Sequence, residues 1–161
     1  MKDQRIRGLA MSGLMAALVV LFTYFIKIPV PATGGYVHPG DGAIFYAALL
    51  CGPYAALIGG LGSMLADLLG GYFVYAAPTF VIKAAMGGIA GLLARRGHPL
   101  RNALAFSLGA AVMAAGYFLF EGVLYGWAAA LAALGPNCLQ GLAGVLIGLA
   151  LGALPVEPMR R

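Results

Sequence analysis

The stretch Gly42–Ala66, GAIFYAALLCGPYAALIGGLGSMLA, runs for 25 residues without a charge. A membrane-crossing helix needs about 20 predominantly apolar residues. The stretch is therefore long enough to cross a bilayer, but Gly52-Pro53 interrupts it. One kinked helix or two short helices joined by a turn both fit that pattern. The basic residues decide between them. Eight of the ten Lys and Arg fall in three clusters: Lys2, Arg5, Arg7; Arg95, Arg96, Arg101; and Arg160, Arg161. If Gly52-Pro53 is a turn, all three clusters lie on one membrane face. If it is a kink, the middle cluster lies opposite the first. Cytoplasmic loops carry the excess of Lys and Arg. That rule favours an all-α bundle of six transmembrane helices with both termini cytoplasmic.

Composition agrees with a membrane chain. Of 161 residues, 62% are hydrophobic and 9% charged, and 25 are Gly. A soluble domain carries about 25% charged residues. These figures exclude a soluble enzyme, a disordered tail and a disulfide-rich secreted module. The net charge of +5 sits in loop clusters rather than along a stripe, so it does not point to nucleic acid. Cys51 and Cys138 are too few and too far apart for a CxxC metal site. No metal or cofactor is expected.

One integral membrane domain is expected over 1–161, with spans at about 8–27, 39–51, 54–69, 79–94, 102–125 and 136–154. Proline closes the first span at Pro29 and opens the last at Pro136. The segments around Tyr72–Pro78 and Gly126–Gly135 read as outer loops, the second also as an interfacial helix. The weak point is the second span. Thirteen residues reach only about 20 Å.

Five charges lie outside the basic clusters and their flanking acids: Lys27, Asp41, Asp67, Lys83 and Glu121. A charge at the bilayer centre costs about 2.5–3.5 kcal/mol on insertion scales, so each calls for an account. With six spans, all five fall toward the outer ends of their helices. Asn137, Gln140 and the aromatics Tyr36, Tyr72, Tyr75, Tyr117, Tyr125 and Trp127 share that level. A pocket open to the outside, for a small polar or aromatic ligand, explains the layer economically. Blander readings stand beside it. Asp67 and Lys83 could pair and hold two helices together. Lys27 could snorkel, and the aromatics could form an interfacial belt. Ser12, Gly13, Ala16 and Ala17 give the first span small residues four apart, which suit helix packing inside the bundle or against a partner.

The residues IPVPATGGYVHPGD (Ile28–Asp41), GGLGSMLADLLGGY (Gly59–Tyr72), APTFVIK (Ala77–Lys83) and PNCLQ (Pro136–Gln140) resemble S components of energy-coupling factor (ECF) vitamin transporters. The resemblance covers about residues 8–152 and looks most like the pyridoxine, hydroxymethylpyrimidine and riboflavin branch. Pro39 departs from the leucine expected there. The resemblance implies a six-helix subunit, not an enzyme, that captures a vitamin outside the cell membrane. It would dock on a transmembrane coupling protein carrying two cytoplasmic ATPases. By position, the substrate would meet Tyr36, His38, Asp41, Asp67, Tyr75, Thr79, Lys83, Glu121, Tyr125, Asn137 and Gln140. Ser12, Gly13, Ala16 and Ala17 would form the docking face. Two other classes compete: a small intramembrane enzyme using Asp67 and Glu121 as acid and base, and a ligand-free scaffold.

Overall fold

A computed structural model describes residues 2–154, with side chains described from Ile6 onward. The expected cluster Arg160–Arg161 and its flanking Glu157 lie outside the described residues. Helix α1 spans Lys2–Tyr24, α2 Gly40–Cys51, α3 Ala55–Leu69, α4 Phe73–Leu93, α5 Pro99–Tyr125 and α6 Trp127–Gly152. Two three-residue strands, β1 (Ile28–Val30) and β2 (Gly35–Val37), pair antiparallel between α1 and α2. Ile28 lies opposite Val37 and Val30 opposite Gly35.

The expectation of six transmembrane helices is corrected to five membrane-length stretches among the described residues. Among the described residues, the stretches long and apolar enough to cross a membrane are Ile6–Tyr24, Gly40–Leu69, Phe73–Leu93, Pro99–Tyr125 and Trp127–Gly152. The expected second and third spans fall within one stretch, Gly40–Leu69. The physical reason is length. With 12 residues, α2 reaches about 18 Å, short of a hydrocarbon core of about 30 Å.

That stretch is not straight. Gly52 takes φ 59°, a conformation that favours glycine, and a 3-10 turn follows over Gly52–Tyr54. Ile44 and Gly59 are fifteen residues apart, which a straight helix would separate by about 22 Å. Instead the Ile44 side chain lies 3.0 Å from the position a Gly59 Cβ would take. So α2 folds back against α3, and every residue of α2 except Tyr46 is buried.

Two further expectations change. The Tyr72–Pro78 segment, expected as an outer loop, is helical from Phe73, so that α4 contains Pro78; Gly126–Gly135, expected as an outer loop or an interfacial helix, is the start of α6, which begins at Trp127 and contains Pro136. Proline inside a helix is tolerated in a membrane bundle, where neighbours satisfy the freed backbone groups.

Small residues set the packing. Gly144, Gly148 and Gly152 on α6 face Asp41, Phe45 and Leu49 on α2. Their spacing of four places them on one stripe. Phe45 stacks on Phe106 of α5 with ring centroids 4.7 Å apart. The outside of the bundle is apolar, with Leu9 77% and Val123 83% exposed, as a lipid-facing surface must be.

The polar groups separate into two ends. At one end the Gly52 turn lies against Gly91, Arg101 Nε donates to the Leu93 carbonyl (2.6 Å), and an Arg96 guanidinium N–H donates to the Leu154 carbonyl (2.9 Å). At the other end lie the β hairpin, Lys27 and the α3–α4 connection. Thr23, near the end of α1, contacts His38 there.

Candidate functional site

The hairpin closes one end of the bundle, and under it lies a polar cavity. Val30, Tyr36, His38, Asp67, Tyr75, Thr79, Tyr117, Glu121, Asn137 and Gln140 line it. About 20 Å³ is open to water centres, room for about one or two waters. As it stands, the cavity is too small for an aromatic ring.

Of the eleven expected site residues, eight line this cavity. Asp41 and Lys83 do not. They form a fully buried ion pair beneath it, with both side chains 0% exposed. The pairing considered for Lys83 with Asp67 is corrected: the partner is Asp41, on α2. The second Asp41 oxygen accepts from Gln140 Nε2 at 2.8 Å. Gln140 Oε1 in turn accepts the His38 backbone N–H at 3.0 Å. Both ends of the Gln140 amide are thus engaged in holding the hairpin to the core. Tyr125 is 43% exposed and sits outside the cavity, its ring 6.4 Å from that of Tyr75.

The upper wall belongs to Tyr36 and His38. The Tyr36 hydroxyl donates to Asp67 Oδ1 at 2.6 Å. Burial, and next the Asp67 charge, hold the Tyr36 phenol far above its usual range, so it remains a donor. The other Asp67 oxygen is buried without a hydrogen-bond partner among the described residues. Opposite, Tyr75 donates to the Thr33 carbonyl at 3.0 Å and approaches Glu121 Oε1 at 3.2 Å. Asn137 Nδ2 lies 3.5 Å from Glu121 Oε2. Thr79 and Tyr117 share a hydrogen bond of 3.0 Å. Asp67 and Glu121 thus bring two carboxylates to the wall, and no ion pair forms with either among the described residues.

Two lining residues, Val30 and Tyr117, were not among the expected site residues. Tyr117 had a readable signal, because it lies four positions before Glu121 and so shares its helix face. Val30 had none, since nothing in the sequence announced the strand pair. Lys27 does not simply snorkel. Its ammonium lies 4.6, 4.8 and 5.0 Å from the ring centroids of Tyr24, Tyr36 and Tyr72. A cation over aromatic faces is stabilising, and this one ties the hairpin to α1 and to the α3–α4 connection.

The sequence matches a known family. Residues 3–155 match the family of ECF-type riboflavin transporter S components. The chain belongs to that family. Among curated relatives, the S component is 31% identical over 156 residues to the thiamine precursor transporter HmpT of Lactococcus lactis subsp. cremoris (strain MG1363), covering 96% of this chain and 90% of that protein. It is 38% identical over 136 residues to an uncharacterized protein of Pyrococcus woesei, covering 83% and 91% of the two chains. Family membership and the apolar helices make the S component a multi-pass protein of the cell membrane.

His38 of the S component makes the site sensitive to acid. Burial, and next the Lys83 charge, push its imidazole pKa down to about 3, against the opposing effect of Asp41; Lys27 adds to the lowering. In the unfolded chain histidine titrates near 6.5. The unfolded state therefore binds the proton first, and stability present above about pH 6.5 is lost as pH falls toward 3. The loss expected from this group is about 1.4 kcal/mol per pH unit. Thermal unfolding in detergent between pH 6 and 4 checks this, and His38→Asn should show a smaller slope over that range.

Proposed function

We propose that this S component is the substrate-capture subunit of an ATP-driven ECF importer, and that it binds a vitamin or vitamin precursor under the β hairpin. Pyridoxine and hydroxymethylpyrimidine are the favoured ligands. One observation carries the reading: a buried, polar, tyrosine-lined cavity closed by a hairpin, inside a bundle with an apolar exterior. Tyrosine rings suit stacking on a heteroaromatic ring, and the carboxylates and Asn137 suit its polar edge. The likeness to a thiamine precursor transporter supports a vitamin precursor as the ligand.

The cavity faces the outside in this reading, and the Arg95–Arg101 loop faces the cytoplasm. The opposite placement of these two features along the bundle supports that orientation. ATP is hydrolysed by partner subunits: a transmembrane coupling protein with two cytoplasmic ATPases.

Docking on the coupling protein would use α1. The four expected docking residues divide here. Ser12 and Ala16 are half-buried, and the Ala16 carbonyl lies 3.1 Å from where a Gly62 Cβ would be. Gly13 and Ala17 are exposed, and no atom lies within 4 Å of a Cβ added at Gly13. We therefore assign the docking contact to Gly13 and Ala17, and internal packing to Ser12 and Ala16.

Transport measurements test both parts. Cells that co-produce this chain with an ECF coupling protein and its ATPases should accumulate the labelled ligand, and cells with this chain alone should not. Gly13→Leu with Ala17→Leu should leave ligand binding by purified protein unchanged and lower uptake at least about tenfold, the equivalent of about 1.4 kcal/mol of docking. Unchanged uptake would remove α1 from the docking surface.

A further inference from the structure

The hydrogen-bond pattern around His38 fixes which of its ring nitrogens carries the proton. Nδ1 receives the Gly40 backbone N–H at 3.1 Å. A backbone amide can only donate, so Nδ1 must be a bare acceptor. Thr23 Oγ1 lies 3.3 Å from the same nitrogen and can add a second donor to it. The ring is neutral and its proton sits on Nε2. No protein partner engages Nε2 among the described hydrogen bonds, and His38 lines the cavity. Gly40 is required for this lock, because a Cβ there would overlap Thr23 Oγ1 and come within 2.8 Å of Nδ1.

The complementary group is Asp67. One of its oxygens takes the Tyr36 hydroxyl, the other is buried and lacks a partner among the described residues, and Asp67 lines the same cavity. Tyr36 sits between the two, with its hydroxyl on Asp67 and its ring 5.5 Å from the His38 ring. A fixed donor and a free acceptor thus flank one aromatic side chain.

We infer that His38 and Asp67 form a donor–acceptor pair that reads the edge of an aminopyrimidine-type ring, with His38 Nε2–H donating to a ring nitrogen and the free Asp67 oxygen accepting from the exocyclic amine. This rests on the vitamin-capture reading above and makes it more specific. A ring nitrogen next to an amino group presents an acceptor beside a donor, which matches the wall. His38 sets specificity through a tautomer imposed by Gly40 and Thr23, and Gln140 holds its backbone.

The test uses purified wild-type protein and three probes: hydroxymethylpyrimidine bearing its amino group, the analogue lacking the amine, and the pyridine analogue with C–H in place of the ring nitrogen that faces His38. The aminated pyrimidine should bind saturably. Each analogue should bind about 10- to 100-fold more weakly, because each leaves a buried polar group of the wall unpaired. His38→Asn keeps an acceptor for Gly40 but lacks the Nε2 donor, so it should no longer distinguish pyrimidine from pyridine. His38→Gln, which places an amide N–H near the Nε2 position, should restore part of the difference. Equal binding of all three probes by wild-type protein would overturn the inference while leaving vitamin capture standing. So would binding of pyridoxine or riboflavin without the aminopyrimidine. If none of these vitamins binds, the capture reading itself fails and this inference falls with it.

Discussion

Lys83→Met is expected to destabilise the folded protein by about 3–5 kcal/mol, because it leaves the Asp41 carboxylate buried with its ion partner gone. Neither side chain reaches solvent, so water cannot take over the lost contact. Gln140 would still serve one Asp41 oxygen, which lessens the loss without removing it. The double variant Asp41→Leu with Lys83→Met removes both charges together. It should recover much of the stability, since a buried pair is often replaceable by apolar groups of similar volume. Thermal unfolding of the single and double variants in detergent makes the comparison. A single variant as stable as the wild type would contradict the pairing. A double variant no better than the single would show that the Gln140 contact, rather than the ion pair, dominates.

Gly91→Ala should lower stability by about 1–3 kcal/mol, the usual cost of overpacking. The added methyl would overlap the Gly52 carbonyl and come within 3.0 Å of the Pro53 nitrogen. Those are backbone atoms of the turn between α2 and α3, and they cannot swing aside as a side chain would. Gly88→Ala, one turn earlier on α4, is the control. Its methyl would meet only the Ala56 Cβ, at 3.4 Å. That variant should be neutral or more stable by up to about 1 kcal/mol, from the better helix propensity of alanine. If both variants behave alike, α4 does not press on the turn as described.

Much of this arrangement was legible in the sequence, for particular reasons. The charge-free run of Gly42–Ala66 announced a membrane chain, and Gly52-Pro53 marked the place where the helix breaks. The polar layer was also readable, because Asp67, Glu121, Asn137 and Gln140 could each be placed near the same level from their helices alone. What failed was the pairing inside the layer. Asp67 and Lys83 looked like partners because α3 and α4 are consecutive. The short buried α2 instead brings Asp41, 42 positions from Lys83, to the lysine. No local pattern encodes a contact of that kind. The hairpin was missed because a segment of Pro, Gly and Thr carries no alternation of apolar and polar residues. Pro78 and Pro136 misled the helix limits, since the usual boundary rule is relaxed where packed neighbours satisfy the freed backbone groups.

We propose that this family member captures a vitamin or vitamin precursor in the cavity beneath the hairpin. The most direct measurement is a binding titration of the purified wild-type protein with hydroxymethylpyrimidine, pyridoxine and riboflavin, read by calorimetry and by thermal shift. Saturable binding of one of them at one molecule per chain is predicted, with a stabilisation of about 2.7 kcal/mol when the free ligand stands at 100 times its dissociation constant. No saturable heat and no thermal shift with any of the three would contradict the claim.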